Sequence, residues 1–395
     1  MRSIVKFGEL YDITSSKRVF EKDWKKSWVP FYRAREIVKL SENWYVDNEL
    51  FISEEMYKDY WKKYWLPQKN DIMVTWVWTI WVCYLVKDND KFYFKDWNIL
   101  WFKNKWKNIN PYYVEYFFKT DLLKNQIQNF WSVVQTLTIQ KAKEVEIPLP
   151  PLETQKAIVA KLDQIFAELD QTKSEIQKNL DNTDELWKSA LNQAFQGDWG
   201  MKKLGEVCDV RDWTHESPKY YEEWIPFITS KNLKDYWIDF DNVNYISRED
   251  HISFSERSKV EVWDILFAMI WTIWNPTIVS DSREFSIKNV ALIKFGWKEN
   301  ILNTFVRYLL DSDFTIQNLT VNSRWWTQKF IALKDIRNFM IPVPPLSEQE
   351  KIVEHLDQVS KEVKALKSQY QSQLDNLEEL KKSVLDKAFR WELGE

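Results

Sequence analysis

Imidazoles, thiols and clustered carboxylates are the groups that hold metals and move protons, and this chain offers few arrangements of them. Its three histidines, His215, His251 and His355, are too few and too far apart in sequence for a metal cluster. His355 falls in a helical segment beside the apolar position Leu356, where a structural or solvent role suits it. Cys83 and Cys208 match no metal spacing and suit buried thiols in a reducing compartment. With 29% charged residues, scattered Asp and Glu-x-Lys triplets arise from composition alone, so no nuclease centre can be argued from them. There is no phosphate-cradling P-loop, nor the Asn/Asp-Pro-Pro-Tyr/Phe string of an amino-methyltransferase, and Asn275-Pro276-Thr277 reads as a turn. The sequence reads as having no catalytic site and no metal site.

The chemistry that remains is recognition. Arg33 and Arg35 follow the run Val29-Pro30-Phe31-Tyr32, and Thr229, Ser230, Lys231 and Asn232 follow its echo, Ile225-Pro226-Phe227-Ile228. Guanidinium, ammonium, amide and hydroxyl groups at a strand end suit phosphate and base-edge contacts. Thr214-His215, and Arg324 with Thr327-Gln328, lie in segments that read as tight turns, where a backbone can approach a nucleic acid closely. Each of these residues is equally at home on a plain surface. The formal charge of −4, from 55 basic and 59 acidic residues, supplies no global basic field, so any affinity for a polyanion must be local.

Tryptophan numbers 24 and glycine only 6 in 395 residues. Asp96-Trp97-Asn98, Asp212-Trp213-Thr214 and Ser323-Arg324-Trp325-Trp326-Thr327 have the form of turns in which glycine's place is taken by the bulkiest side chain. A host that reads UGA as glycine, with the gene translated here as if UGA meant tryptophan, would produce this pattern. The alternative is a truly tryptophan-rich protein with aromatic faces for base stacking. Trp101, beside the strand-like Asn98-Ile99-Leu100, reads as a genuine tryptophan. Recoding would turn Trp76-Val77-Trp78-Thr79-Ile80-Trp81 into a GxGxxG string. It leads into the β-type run Val82-Cys83-Tyr84-Leu85-Val86 rather than a helix, so it reads as a hairpin turn and not a dinucleotide site.

The elements that must position these residues are written twice. Ile147-Pro148-Leu149-Pro150-Pro151-Leu152 recurs as Ile341-Pro342-Val343-Pro344-Pro345-Leu346, and the register then holds without a gap. Gln155, Leu162, Asp163 and Gln164 return as Gln349, Leu356, Asp357 and Gln358. Farther on, Leu191, Ala194 and Phe195 return as Leu385, Ala388 and Phe389, and Phe195-Gln196-Gly197 aligns with Phe389-Arg390-Trp391. Such a duplication implies two equivalent units and suits a two-fold or bipartite partner, of which duplex DNA is the commonest. Segments 152–196 and 346–391 read as long helices. Ile158, Leu162, Ile165, Leu169, Ile176 and Leu180 form a narrow apolar seam in the first, and Ile352, Leu356, Val359, Val363, Leu366 and Tyr370 repeat it in the second. Two such rods, each roughly 65 Å long at about 1.5 Å per residue, pack most simply as an antiparallel pair. The segments preceding them read as mixed and strand-rich, with Asp71-Ile72-Met73 echoed by Asp264-Ile265-Leu266. The expected fold class is α+β, with two pseudo-symmetric globular domains separated by two long antiparallel coiled-coil helices. No stretch approaches the roughly 18 apolar residues of a membrane span, and Met1 to Tyr11 lacks a signal peptide's apolar run, so a cytoplasmic protein is expected.

The chain resembles the specificity subunits of type I restriction–modification systems over essentially its whole length. The resemblance is carried by Pro150-Pro151-Leu152-Glu153-Thr154-Gln155 and Pro344-Pro345-Leu346-Ser347-Glu348-Gln349, and by the helix ends Ser189 to Phe195 and Ser383 to Phe389. It implies a target-recognition domain at 1–146, a conserved helical spacer region at 147–197, a second recognition domain at 198–340 and a second helical region at 341–395. It further implies a non-catalytic reader of double-stranded DNA, each recognition domain reading one half of a bipartite target and the helices setting the spacer. Two methyltransferase subunits carrying S-adenosylmethionine would dock on the helices, and restriction subunits using ATP and Mg would join them. No cofactor is expected in this chain itself. The competing readings are a single-chain enzyme that modifies or cuts DNA and a coiled-coil scaffold or interaction protein without DNA affinity.

Overall fold

The computed structural model describes residues 3–43, 45–75, 81–95, 98–105, 108–131, 139–212, 218–234, 237–269, 275–295, 300–321 and 331–390. The chain forms two compact units, one of Met1–Ile176 with Ser372–Glu395 and the other of Gln177–Gln371.

The first unit opens with strand β1 (Ser3–Lys6), helix α1 (Phe7–Leu10) and β2 (Tyr11–Thr14), followed by β3 (Val29–Tyr32), α2 (Ala34–Asn43), β4 (Phe51–Ile52) and α3 (Glu54–Tyr64). Next come β5 (Ile72–Thr75), β6 (Cys83–Leu85), β7 (Tyr93–Phe94) and β8 (Ile99–Asn104). Then follow α4 (Pro111–Phe117), α5 (Asp121–Trp131), α6 (Ile139–Glu144), β9 (Glu146–Leu149) and the long helix α7 (Leu152–Ala194). Strands pair in the order β2-β8-β5-β6 in one sheet and β4-β3-β7 in another, while β1 pairs with β9. Strands and helices together bury Phe7, Tyr11, Ile72, Phe102 and Phe117 in one core. β5 and β6 are antiparallel, Val74 facing Cys83, as the hairpin reading requires, although residues 76–80 lie outside the described residues.

The second unit repeats this plan with β10 (Met201–Lys203), α8 (Leu204–Val207), β11 (Asp209–Arg211), β12 (Ile225–Thr229), β13 (Leu233–Lys234), β14 (Trp237–Ile238), β15 (Asn244–Ile246) and α9 (Arg248–Ser258). It continues through β16 (Ile265–Ala268), β17 (Thr277–Ile278), β18 (Ser286–Lys288), β19 (Val290–Lys294), α10 (Asn303–Asp311), α11 (Asp313–Val321), α12 (Leu333–Asn338), β20 (Met340–Pro342) and the long helix α13 (Leu346–Arg390). Sheets β11-β19-β16-β17 and β15-β12-β18 match those of the first unit, as does the pair β10-β20. One substitution within this shared plan is instructive. Buried Asp71 accepts the Trp101 indole N–H at 2.8 Å, whereas its counterpart Asp264 accepts the ammonium of buried Lys294 at 2.6 Å. Either donor satisfies a carboxylate that burial would otherwise penalise. Gly8 in α1 and Gly205 in α8 occupy equivalent close approaches: a Cβ would come within 2.9 Å of Lys143 Cβ in the first and 3.1 Å of the Arg337 carbonyl oxygen in the second.

The helices pair antiparallel within each unit. In the first, Asp170 of α7 meets Lys381 of α13 at 2.9 Å and Lys173 meets Glu378 at 2.6 Å. In the second, Asp184 of α7 meets Lys367 of α13. Seam residues Leu162, Ile352, Leu356 and Val363 are buried, and the remaining seam positions are half-buried. The helix ends anchor the globular parts. Phe389 packs 4.7 Å from the Tyr113 ring and 5.4 Å from that of Phe117, and Phe195 packs 5.5 Å from Phe305. The two units thus each take half of α7 and half of α13.

Candidate nucleic-acid interface

In the first unit β3 ends at Tyr32 and the chain turns directly into α2. The Arg33 backbone N–H donates to Glu36 Oε2 at 2.9 Å, and its guanidinium donates to both Glu36 oxygens at 3.1 and 2.9 Å. Arg35 donates to Glu36 as well, and to Glu49. Glu36 is only 1% exposed. Burial pushes its carboxyl group up, but hydrogen bonds from Arg33 and Arg35 prevail and hold it below the usual carboxylate range. The arginines are therefore fixed at the strand end, one a quarter exposed and the other half exposed, with their charge largely balanced by Glu36 and Glu49. Such an arrangement favours oriented hydrogen bonding over a diffuse grip on phosphate.

The second unit builds the same turn from neutral groups. Thr229 donates through its backbone N–H and its hydroxyl to Asn232 Oδ1, both at 2.9 Å, so Asn232 takes the place of Glu36. Asn232 in turn donates to the carbonyls of Asp239 and Asn242. Ser230 and Asn232 are buried, and Thr229 is half-buried. Lys231 is exposed and makes no ion pair among the described residues. Thr214, His215, Arg324, Thr327 and Gln328 lie outside the described residues.

Sequence reasoning passed over two features here. Glu36, which organises both arginines, looks like any surface carboxylate at the start of an amphipathic helix. Its position three residues after Arg33, matching that of Asn232 after Thr229, was the available signal. Arg18 lines an open cleft of about 400 Å³ together with Glu21, Lys95 and Asn98. Extending the offset that aligns Tyr11-Asp12-Ile13 with Cys208-Asp209-Val210 brings Arg18 to the position of His215. The segment around it carries Lys17, Arg18, Lys22, Lys25 and Lys26 against Glu21 and Asp23, so the first unit has a local basic stretch despite the acidic total.

The Pro-Pro-Leu-x-x-Gln motif couples the globular part of each unit to the helices. Gln155 accepts the Asn110 backbone N–H at 2.9 Å, at the start of α4, and donates to the Pro150 carbonyl at 2.8 Å. Gln349 does the same with Leu302 at the start of α10 and with Pro344, at 2.9 Å each. The recurring aspartates also act alike, since Asp163 accepts the Tyr116 hydroxyl and Asp357 that of Tyr308. Burial, reinforced by the hydrogen bond to Asp357, pushes the Tyr308 phenol up to about 12, so the tyrosine remains a donor at any physiological pH. Cys83 and Cys208 are both buried and form no disulfide, and burial pushes the Cys83 thiol up to about 12. Among the described residues no group of His, Cys, Asp and Glu could hold a metal ion, and no helix is long and apolar enough to cross a membrane.

The family model for the type I restriction modification DNA specificity domain matches residues 3–182 and again residues 196–376. The chain belongs to this family. A curated relative in this specificity family, the type I restriction enzyme EcoBI specificity subunit of Escherichia coli, is 27% identical over 66% of the chain and 61% of its own length. The EcoKI specificity subunit of Escherichia coli strain K12 is 24% identical over 71% of the chain and 65% of its own length. The matched regions thus span under two thirds of either relative. A solved chain described under complex assembly and conformational transition of the type I R-M system shares the fold, with a TM-score of 0.71, 20% identity and coverage of 99% and 98% of the two chains. The HsdS subunit from Thermoanaerobacter tengcongensis follows, with a TM-score of 0.59, 19% identity and coverage of 99% and 97%.

Proposed function

We propose that this chain selects DNA sequence for a type I restriction–modification complex and leaves the chemistry to partner subunits. Each unit reads one half of an asymmetric bipartite site in double-stranded DNA, and α7 and α13 set the unspecified spacer between the halves. The helices also dock two methyltransferase subunits, which bring S-adenosylmethionine, and restriction subunits using ATP and Mg join that core. The observation that carries this reading is the strand-end turn built twice on one frame. Arg33, Arg35 and Glu36 form it in one unit, and Thr229, Lys231 and Asn232 form it in the other. A common frame with different hydrogen-bonding groups is what two different half-sites require.

The test is a duplex-binding assay on the chain assembled with its methyltransferase partner, using the target found by mapping methylated bases in the host. Replacing residues 1–146 with another recognition domain should change one half-site and leave the other intact. A change in both half-sites would argue against separate readers. Absence of any duplex binding by the complex would favour a scaffold without DNA affinity.

A further inference from the structure

We infer that glycine is the native residue at the positions written here as Trp28, Trp65, Trp224 and Trp263, because the host reads the UGA codons at these places as glycine. Among the described residues, the non-glycine positions with left-handed backbone are Trp28 (φ 104°), Trp65 (65°), Trp81 (63°), Trp224 (126°), Trp263 (77°), Asn70 (70°) and Asn289 (59°). No described glycine has positive φ. Asparagine tolerates this region because its short polar side chain bonds locally, whereas a bulky side chain there is an outlier. Tryptophan thus occupies the conformational niche of glycine, and the described glycines do not.

Each local structure independently asks for glycine. Trp65 follows α3 with φ 65° and ψ 164°, a backbone region essentially reserved for glycine. Trp28 and Trp224 end the same bend in the two units. Lys25 bridges Phe51 and Tyr221 bridges Tyr245, and four residues later the chain enters β3 or β12. Trp263 sits in a turn closed by the Asp264 N–H to the Glu261 carbonyl at 3.2 Å and the Glu261 N–H to Asp264 Oδ2 at 2.8 Å. The first unit has the identical turn, from Gln68 to Asp71 at 3.0 and 2.8 Å, with Asn70 at the corresponding place. A turn of this kind, with positive φ at its third residue, takes glycine or asparagine there.

The side chains argue the same way. These four indoles are 56–70% exposed and add nothing to either core. Trp101 differs, being 4% exposed with its N–H on Asp71, as does Trp187, whose ring packs edge-on against Tyr308. Those two use the indole and are tryptophan in earnest. Trp81 stands apart from the four because its ring is buried and stacks on Phe118. The competing reading of the exposed stack of Trp224 on Tyr221, 5.2 Å apart, is a platform for nucleic-acid bases. The equivalent bend in the first unit has Lys25 where Tyr221 stands and offers no such stack.

The test is to read the codons in the gene and to determine the peptides of the protein purified from its own host by mass spectrometry. UGA at positions 28, 65, 224 and 263 with glycine-bearing peptides, and UGG at 101 and 187, is the expected result. UGG at the four positions, or tryptophan in those peptides, would overturn the inference. A second measurement isolates the backbone argument. A recombinant chain carrying Trp28→Gly, Trp65→Gly, Trp224→Gly and Trp263→Gly should melt several degrees above the tryptophan chain. The matching four-alanine chain should fall short of it, because alanine keeps the Cβ that left-handed backbone penalises. Equal midpoints for the alanine and glycine chains would remove that argument.

Discussion

A carboxylate stripped of water can be stabilising only while its cations remain in place, and Glu36 is such a group. The substitution Glu36→Gln keeps the shape but removes the charge that Arg33 and Arg35 bond to. It should cost about 1.5–3 kcal/mol of stability, the range for hydrogen bonds to charged groups. It should also blur discrimination at one half-site by loosening both arginines. The pH dependence follows from the lowered carboxyl. Because the folded value lies below the ordinary 4.5, the contribution is fully present above pH 4.5 and is lost as pH falls through the folded value. Urea unfolding of the native and Glu36→Gln chains across that window should give a stability difference that shrinks with acid; a constant difference would mean the carboxylate is not acting through its charge. The arginines were legible in the sequence as donors after a strand, but their partner was not. Nothing in a single residue's type says that it will be buried beneath two cations.

Among the elements, the apolar seams were legible because a spacing of three and four residues has only one structural meaning over so long a run. The pairing across them was harder to see. A seam such as Ile158-Leu162-Ile165 carries no label for its partner, and the ion pairs Asp170–Lys381, Lys173–Glu378 and Asp184–Lys367 supply the register. That register changes how the spacer should be tested. Lengthening α7 alone would slide one helix past the other. Matched four-residue insertions between 173 and 184 in α7 and between 367 and 378 in α13 preserve the pairing on both sides. They add about 6 Å of rise, on the order of two base pairs, so the recognised spacer should lengthen while both half-sites persist. An unchanged spacer in the methylation pattern would defeat the ruler. The anchor at the helix end gives a second expectation. Phe389→Ala removes an aromatic ring buried between Tyr113 and Phe117 and should destabilise the first unit by about 3–5 kcal/mol. Limited proteolysis should then cut within residues 3–131 before the second unit is touched; simultaneous cleavage of both units would show that the anchor is not local.

For the whole molecule, duplication was legible from the first lines of the sequence, while the way each compact unit borrows half of both long helices was not. Antiparallel pairing brings Phe389, the end of the second repeat, into the core of the first unit, and no local pattern announces a contact across so many residues. The same scale sets the electrostatics of binding. A chain with a net charge of −4, whose strand-end arginines are already balanced by Glu36 and Glu49, offers no broad basic field to phosphate. Phosphate neutralisation supplies most non-specific affinity for DNA, with a salt slope of about −0.9 per contact. The lone chain should therefore bind duplex weakly and with a shallow salt dependence. Each phosphate contact contributed by methyltransferase subunits should steepen the slope of the complex by about 0.9, while preference for the cognate duplex over a scrambled one stays with this chain. Exposed Lys231 and the basic stretch from Lys17 to Lys26 are where the lone chain's residual slope should reside, so charge removal there should flatten it further. Titrations over salt on cognate and scrambled duplex, with and without partner, decide the matter. Tight, sequence-specific and steeply salt-dependent binding by the isolated chain would refute this division of labour.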